Sequence, residues 1–275
     1  MKLTFCGGAQ IVTGSNYLLE SGKNKILIDC GLFQGSSYCE NLNFEPFPYK
    51  PSEISAVFVT HAHVDHIGRL PKLYKAGFRG RVFSTAPTRD FAELVLLDSE
   101  HILEEEAAKK HKPPIYSAAD VLGLMQNWQG ISYHEKIKIG DLEIELYDAG
   151  HILGSSSIFV HGEGKKIVFS GDLGNIPAPL IKPTEYFNEV DYAIIESAYG
   201  GRVHEELDRR KEILEDLIEE TIGAKGVLMI PAFALERTQE LIFELNDLVE
   251  HGRIPKAQVF IDSPLAIKLT TLYQK

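Results

Sequence analysis

Short apolar runs recur along the chain, and each ends on a residue able to hold a metal or a proton. "KILIDCG" leads to Asp29, and "SAVFVTHAHVDH" delivers His61, His63, Asp65 and His66. "LEIELYDAGH" delivers Asp148 and, past a turn, His151, while "KKIVFSGD" ends at Asp172 and "DYAIIESAYG" leads to Glu196. Each run is brief, rich in β-branched residues and bounded by Gly, Ser or Asp, which predicts strands rather than helices. Side chains leaving the ends of neighbouring strands can converge on one rim, so the pattern predicts five strands gathered around a site.

A helical period takes over elsewhere. Residues 87–110 predict a helix, with Pro87 and Thr88 as its start signal. Residues 117–128 predict another, with Ser117 as N-cap and Asp120 in the capping-box place. From residue 198 the order becomes helix 204–222, strand "GVLMIPAF", helix 236–250, strand "QVFIDSP" and a helix from Pro264. Apolar strands alternating with helices predict an α/β class with a parallel sheet. The Gly200-Gly201 pair puts a boundary near 196–203. The last helix meets no capping signal, so the chain reads as a fragment whose fold continues beyond it.

Composition narrows the class. With 275 residues, 44% hydrophobic and 24% charged, the chain can bury a sizeable core as a soluble protein, one large domain or one plus part of another. It contains no run of eighteen apolar residues, and "MKLTFCGGAQ" carries no signal-peptide core, so no membrane is implied. Cys6, Cys30 and Cys39 form an odd set without a CxxC pair, which predicts reduced thiols, buried as small hydrophobes, in a cytoplasm. A net charge of −11 counts against a broadly basic nucleic-acid surface. The acids crowd into residues 99–112 and 204–220, however, where solvated helix faces account for them.

His61 and His63 alternate, so an extended segment can bend both towards one ion, while Asp65 and His66 can face a second ion beside it. Imidazole suits Zn²⁺, and mixed carboxylate–imidazole sets also hold Mn²⁺ or Fe²⁺. His151 and Asp172 gain weight as ligands because HxHxDH alone leaves each metal short of a full shell. His101, His111, His134, His161, His204 and His251 lie on predicted helix faces or in loops and read as solvent-facing.

"IDCGLFQG", "THAHVDHIGRLP", "GHILGSSS", "SGDLG" and "ESAYGGRVH" together resemble, in order, the signature of the metallo-β-lactamase superfamily. More narrowly they resemble its β-CASP branch of RNA-processing nucleases, of the RNase J and cleavage-and-polyadenylation endonuclease types. "PAFALERTQEL" and "VFIDSPLA" look like the opening of the β-CASP insertion. The resemblance implies an αββα sandwich over residues 1–197, lacking its closing segment, and a partial β-CASP α/β domain over 198–275. It implies a first zinc on His61, His63 and His151, a second on Asp65 and His66, and Asp172 bridging the two. Asp29 would orient a ligand or the attacking water, and Glu196 would be the acid of the first β-CASP motif. Two family histidines have no counterpart here, and His251 lacks their small-residue context, so the second metal site is expected to be incomplete and the chain alone a weak nuclease.

The resemblance implies a metal-dependent phosphodiester hydrolase acting on RNA, expected to be single-stranded, through a hydroxide bridging two Zn²⁺ (or Mn²⁺). Divalent charge would reconcile four acids, Asp29, Asp65, Asp172 and Glu196, with an anionic substrate. Arg69 and Arg237 are candidate phosphate contacts, and a homodimer is allowed. A glyoxalase- or lactonase-type hydrolase has no use for "ESAYGG" and "FIDSPLA". A non-catalytic β-CASP scaffold would have lost ligands that this chain keeps. A flavodiiron-type reductase carries HxExDH, where this chain has Ala62 and Val64 around His63.

Overall fold

Two β-sheets face each other in the computed structural model, which describes residues 1–275 except 110, 176, 177, 203–208 and 275. The first sheet runs in sequence order: β1 (Lys2–Gly7), β2 (Asn16–Ser21), β3 (Asn24–Ile28), β4 (Ala56–Phe58), β5 (Arg81–Thr85) and β6 (Trp128–Ile131). Its first three strands are antiparallel and β3 to β6 are parallel. Helices α1 (Ser37–Asn41), α2 (Val64–Ile67), α3 (Leu70–Lys75), α4 (Ala86–Lys109) and α5 (Ala118–Met125) lie in the connections after β3. The second sheet holds β7 (Ile137–Ile139), β8 (Leu142–Asp148), β9 (Ser156–Gly162), β10 (Lys165–Phe169) and β11 (Tyr192–Ile194), antiparallel except for the parallel β10–β11 pair.

The period-2 alternation of the strands sorts their side chains into two cores. Leu19, Ile26, Ile28 and Phe58 meet Leu146, Ile158, Val160 and Phe169 of the second sheet. Leu18, Leu27 and Val57 point the other way, towards Leu70, Phe91, Leu96 and Leu124 of the helices. Such apolar burial, at roughly 25 cal/mol per Å² removed from water, is the main force holding the sheets at fixed separation. Helix α4 spans nearly the expected 87–110 (residue 110 lies outside the described residues), and at α5 the Ser117 N–H donates to Asp120 at 2.9 Å, completing the expected capping box. Helix α5 ends at Met125, though, because Trp128 begins β6 and pairs with Val82.

Beyond residue 209, α6 (Arg210–Gly223) and α7 (Arg237–Glu250) enclose a small core of Leu214, Ile218, Leu248 and Ile254. The start of the expected helix 204–222, with His204, falls on residues 203–208, outside the described residues. Helix α8 (Pro264–Tyr273) packs back onto α4, with Tyr273 5.4 Å from Phe91. The two strands expected here, 226–233 and 258–264, are not formed. Neither segment lies in a ladder among the described residues, and Val227 and Phe260 are 91% and 82% exposed. An apolar run needs a hydrogen-bonding neighbour to become a strand, and no described strand lies beside either. No helix among the described residues is long and apolar enough to cross a membrane. All three cysteines are free, but only Cys30 is buried.

Candidate metal centre

Register places the site. Ile28 pairs with Phe58 at the ends of parallel β3 and β4, so Asp29 and the segment 59–66 leave the sheet side by side. The Asp29 N–H donates to the Phe58 carbonyl at 2.9 Å, with Asp29 itself in a left-handed conformation at φ 57°. Phe169 pairs with Ile194 in the same way, so Asp172 and Glu196 leave the second sheet together. The Ser156 N–H donates to the Thr60 carbonyl at 2.7 Å and ties the two sheets at this end.

His63 caps α2 with extended backbone (ψ 146°), which lets His61 and His63 bend to one side before the helix turns Asp65 and His66 inward. The His151 turn is closed by Ser155, whose Oγ accepts from the N–H of His151 at 3.0 Å and of Ile152 at 3.2 Å. Gly171, at φ 58°, lets the chain reverse under Asp172, and a Cβ there would meet the Thr60 side chain at 2.7 Å.

His61, His63, His151 and Asp172 each present a ligand atom, all within 4.8 Å of one another. His63 Nδ1 lies 3.1 Å from His61 Nε2 and 3.3 Å from His151 Nε2. Asp172 divides its carboxylate: Oδ2 is 3.9 Å from His61 Nε2 and 3.7 Å from His151 Nε2, while Oδ1 is 3.3 Å from His66 Nε2. Asp65 Oδ2 sits 3.9 Å from the same His66 nitrogen. Nitrogen and carboxylate oxygen at this spacing are the donor set of a borderline divalent cation, and the residues fit one.

Protonation agrees with that role. Burial, then the charge of neighbouring imidazoles, pushes His61 well below the ordinary imidazole range. Burial also lowers His63, and it takes His151 down to about 4, so these three are free bases at neutral pH. His66 goes the other way: burial opposes its protonation, but the Asp29 charge and the bond to Asp172 raise it well above the ordinary value. Burial likewise opposes ionisation of Asp172, yet the His66 bond and charge hold its carboxyl down to about 2. The His66 proton is thus the charge that a bound cation would replace.

Asp29, wholly buried, orients this group from behind. Its Oδ1 accepts from the Thr60 N–H at 2.8 Å, and Oδ2 from the Thr60 hydroxyl at 2.9 Å and Ser15 Oγ at 3.1 Å. His66 Nδ1 lies 2.7 Å from Oδ2. Thr60 is a member of the site that sequence reasoning passed over; its hydroxyl also stands 3.0 Å from His61 Nδ1 and 3.2 Å from His66 Nδ1. Its position between the β4 run and His61 was the available signal. A Cβ on Gly31 would lie 1.5 Å from the Asp65 carbonyl oxygen. Gly31→Ala is therefore expected to cost about 3 kcal/mol or more, at or above the upper end of ordinary overpacking, measurable by thermal unfolding.

Glu196 accepts from the Ala198 N–H at 3.0 Å and the Leu173 N–H at 3.4 Å, which sets it beside the Asp172 turn. A cavity of about 410 Å³ opens here, lined by Asp65, His66, Asp172, Glu196, Phe5 and Val12 among others, and not by His61, His63 or His151. Arg69 does not reach it. Its side chain is only 4% exposed, lies over the Phe33 ring at 4.3 Å and donates through Nε to the Gly31 carbonyl (2.5 Å apart). Residue 69 precedes α3 and turns back under the motif, so it presents nothing to a phosphate. Arg237 is exposed but ion-paired with Glu240 at 2.8 Å, and lines a different hollow with Arg210 and Leu241. His101, His111, His134, His161 and His251 are exposed as expected.

Residues 1–222 match the family described as anti-Pycsar protein Apyc1. Ribonuclease TTHA0252 of Thermus thermophilus is 36% identical across the whole of this chain, which covers 61% of that protein. Transcription termination factor FttA of Methanosarcina mazei is 35% identical over 95% of this chain and 42% of its own length. Cleavage and polyadenylation specificity factor subunit 3-I of Arabidopsis thaliana is 30% identical over 97% of this chain and 38% of its own. The chain thus spans about four to six tenths of these relatives.

Proposed function

Because the chain belongs to the family described as anti-Pycsar protein Apyc1, and to the β-CASP nuclease branch of the metallo-β-lactamase superfamily, we propose that it is a metal-dependent hydrolase of RNA phosphodiesters. The observation that carries this reading is the divided carboxylate of Asp172, one oxygen turned to His61 and His151 and the other to His66. A single side chain facing two ligand groups suits a pair of cations, and we assign two Zn²⁺, with Mn²⁺ able to substitute. His61, His63 and His151 would hold one, Asp65 and His66 the other, with the Asp172 carboxylate available to both.

When bound, divalent ions supply an ionised water at neutral pH and take up charge on phosphoryl oxygens. The protein's own side chains do the rest. Asp29 fixes the ring of His66 through Nδ1, so that Nε2 faces the site. Glu196, fastened by two N–H groups on the cavity wall beside the Asp172 turn, is the acid we assign to the leaving group. A cavity of about 410 Å³ has room for part of one strand rather than for a duplex, which favours single-stranded substrate. Phe5, 53% exposed on its wall, offers a face for a base. Residues 1–197 and 198–275 are proposed as two domains, the second an opening part of the β-CASP insertion. We further propose a cytoplasmic location and allow a homodimer.

Chelation tests the reading. Protein stripped of metal is expected to lose cleavage of a single-stranded RNA oligonucleotide, and added Zn²⁺ or Mn²⁺ to restore it. Metal analysis is expected to find one tightly held ion per chain and a second held more weakly, because two of the family's histidines have no counterpart here. Undiminished cleavage by protein shown to be metal-free would rule the proposal out.

A further inference from the structure

Glu236 has no part in the chemistry assigned above, yet its placement is costly. It precedes α7 with φ 67° and ψ −61°, a backbone conformation that residues other than glycine adopt only under strain. Its side chain is 6% exposed. Oε2 accepts from the Leu153 N–H at 3.1 Å and from the Tyr273 hydroxyl at 2.5 Å, and Oε1 has no partner. Helix capping explains none of this, because the side chain makes no capping bond to its own helix. Strain and a buried carboxylate at one residue call for a compensating role.

Leu153 belongs to the turn that carries His151. Most ties on that turn come from the first 200 residues: Ser155 within it, Thr85 and Thr88 on the Gly154 carbonyl at 2.6 and 2.8 Å, and Thr184 on the Ala149 carbonyl at 2.8 Å. Glu236 adds a tie from beyond them. Through Tyr273 the same oxygen is joined to α8, and through the Tyr273 ring to Phe91 of α4. One carboxylate therefore fastens the 198–275 segment to the backbone of a metal-ligand turn.

We propose that Glu236 is a positioning residue for His151, holding the turn where His151 Nε2 meets His63 and Asp172, so that metal affinity depends on how the 198–275 segment is seated. The proposal rests on the reading of His151 as a metal ligand.

Zn²⁺ alone, titrated into the metal-free 275-residue chain, tests it, with thermal unfolding of each variant alongside. Glu236→Gly relieves the backbone strain, since glycine adopts positive φ freely, while removing the carboxylate. It is expected to weaken binding of the tighter ion by about 10–100-fold, the usual consequence of losing a group that orients a ligand. Glu236→Gln keeps an acceptor for Leu153 and is expected to bind as the wild type does. In a His151→Ala background, Glu236→Gly is expected to add nothing, whereas a purely structural role would weaken binding again. Should Glu236→Gly not fold, Tyr273→Phe decides, because it keeps backbone and carboxylate but loosens the clamp: weaker Zn²⁺ binding supports the proposal and unchanged binding overturns it. Wild-type affinity in folded Glu236→Gly overturns it too. Failure of the wild-type chain to take up any Zn²⁺ removes the site reading and the proposal together, and that outcome is told apart by the wild-type titration alone.

Discussion

Asp172→Ala is expected to lower RNA cleavage by about three orders of magnitude, while leaving the protein folded. The expectation follows from where the carboxylate is and from what it does not hold up. It stands on a turn after β10 with its side chain 35% exposed, and its ion-pair partners are the imidazoles of His61, His66 and His151. No strand or helix hangs on it, so truncation removes ligand oxygens without opening the core. Both of the proposed cations would lose a donor at once, and the charge stabilisation such ions give a phosphoryl group is worth several kcal/mol, which at about 1.36 kcal/mol per factor of ten gives the stated loss. The measurement is kcat/KM on a single-stranded RNA oligonucleotide, with metal content and melting temperature of the same preparation. A variant that cleaves like the wild type would show that Asp172 holds no essential ion. A variant that loses activity only because it unfolds would show that the turn, not the carboxylate, matters.

The part of the site that the sequence displays is the part built locally. In "VFVTHAHVDH" an apolar strand and four metal-capable residues are consecutive, and backbone geometry alone brings them to one place. His151 and Asp172 are single residues in turns, marked only by the apolar runs that precede them and by the unfilled shells that HxHxDH leaves, and their roles came from the family resemblance. Thr60 and Glu236 escaped notice because their partners are distant in sequence: Thr60 meets Asp29 31 residues away, and Glu236 meets Leu153 across 83. Arg69 misled for the opposite reason. Nearness to the motif in sequence says nothing about direction, and the start of α3 turns its guanidinium into the protein. The fold shows the same division. Strands with a hydrogen-bonded neighbour, such as β4 and β10, match their apolar runs, whereas 226–233 and 258–264 carry the pattern and find no described partner. Apolarity reports a tendency to be covered; which backbone does the covering is a non-local matter.

Asp29 is where the fold and the metal site can be separated by two substitutions. Asp29→Ala is expected to destabilise the protein by about 3–5 kcal/mol, the scale of breaking a buried charged pair. The Thr60 N–H, Thr60 Oγ1, Ser15 Oγ and His66 Nδ1 would all lose an acceptor that is wholly buried. Alanine also tolerates φ 57° less well than aspartate does, which adds about 1 kcal/mol. At ~2–4 °C per kcal/mol for a chain of this size, the melting temperature falls by about 10 °C or more. Asp29→Asn should behave differently. Its Oδ1 still accepts from the Thr60 N–H, it is at home in left-handed backbone, and one of the hydroxyls of Thr60 and Ser15 can rotate to accept one of its two amide protons, leaving the other for His66. Only His66 cannot adapt without consequence: Nδ1 must now accept, which moves the ring proton to Nε2 and points an N–H, not a lone pair, at the place of the second ion. The asparagine protein is therefore expected to melt within a few degrees of the wild type, yet to bind that ion about 10–100-fold more weakly. Thermal unfolding and Zn²⁺ titration of both variants decide it. An alanine variant as stable as the wild type, or a folded asparagine variant with undiminished affinity at both sites, would show that Asp29 does not hold His66 for a metal.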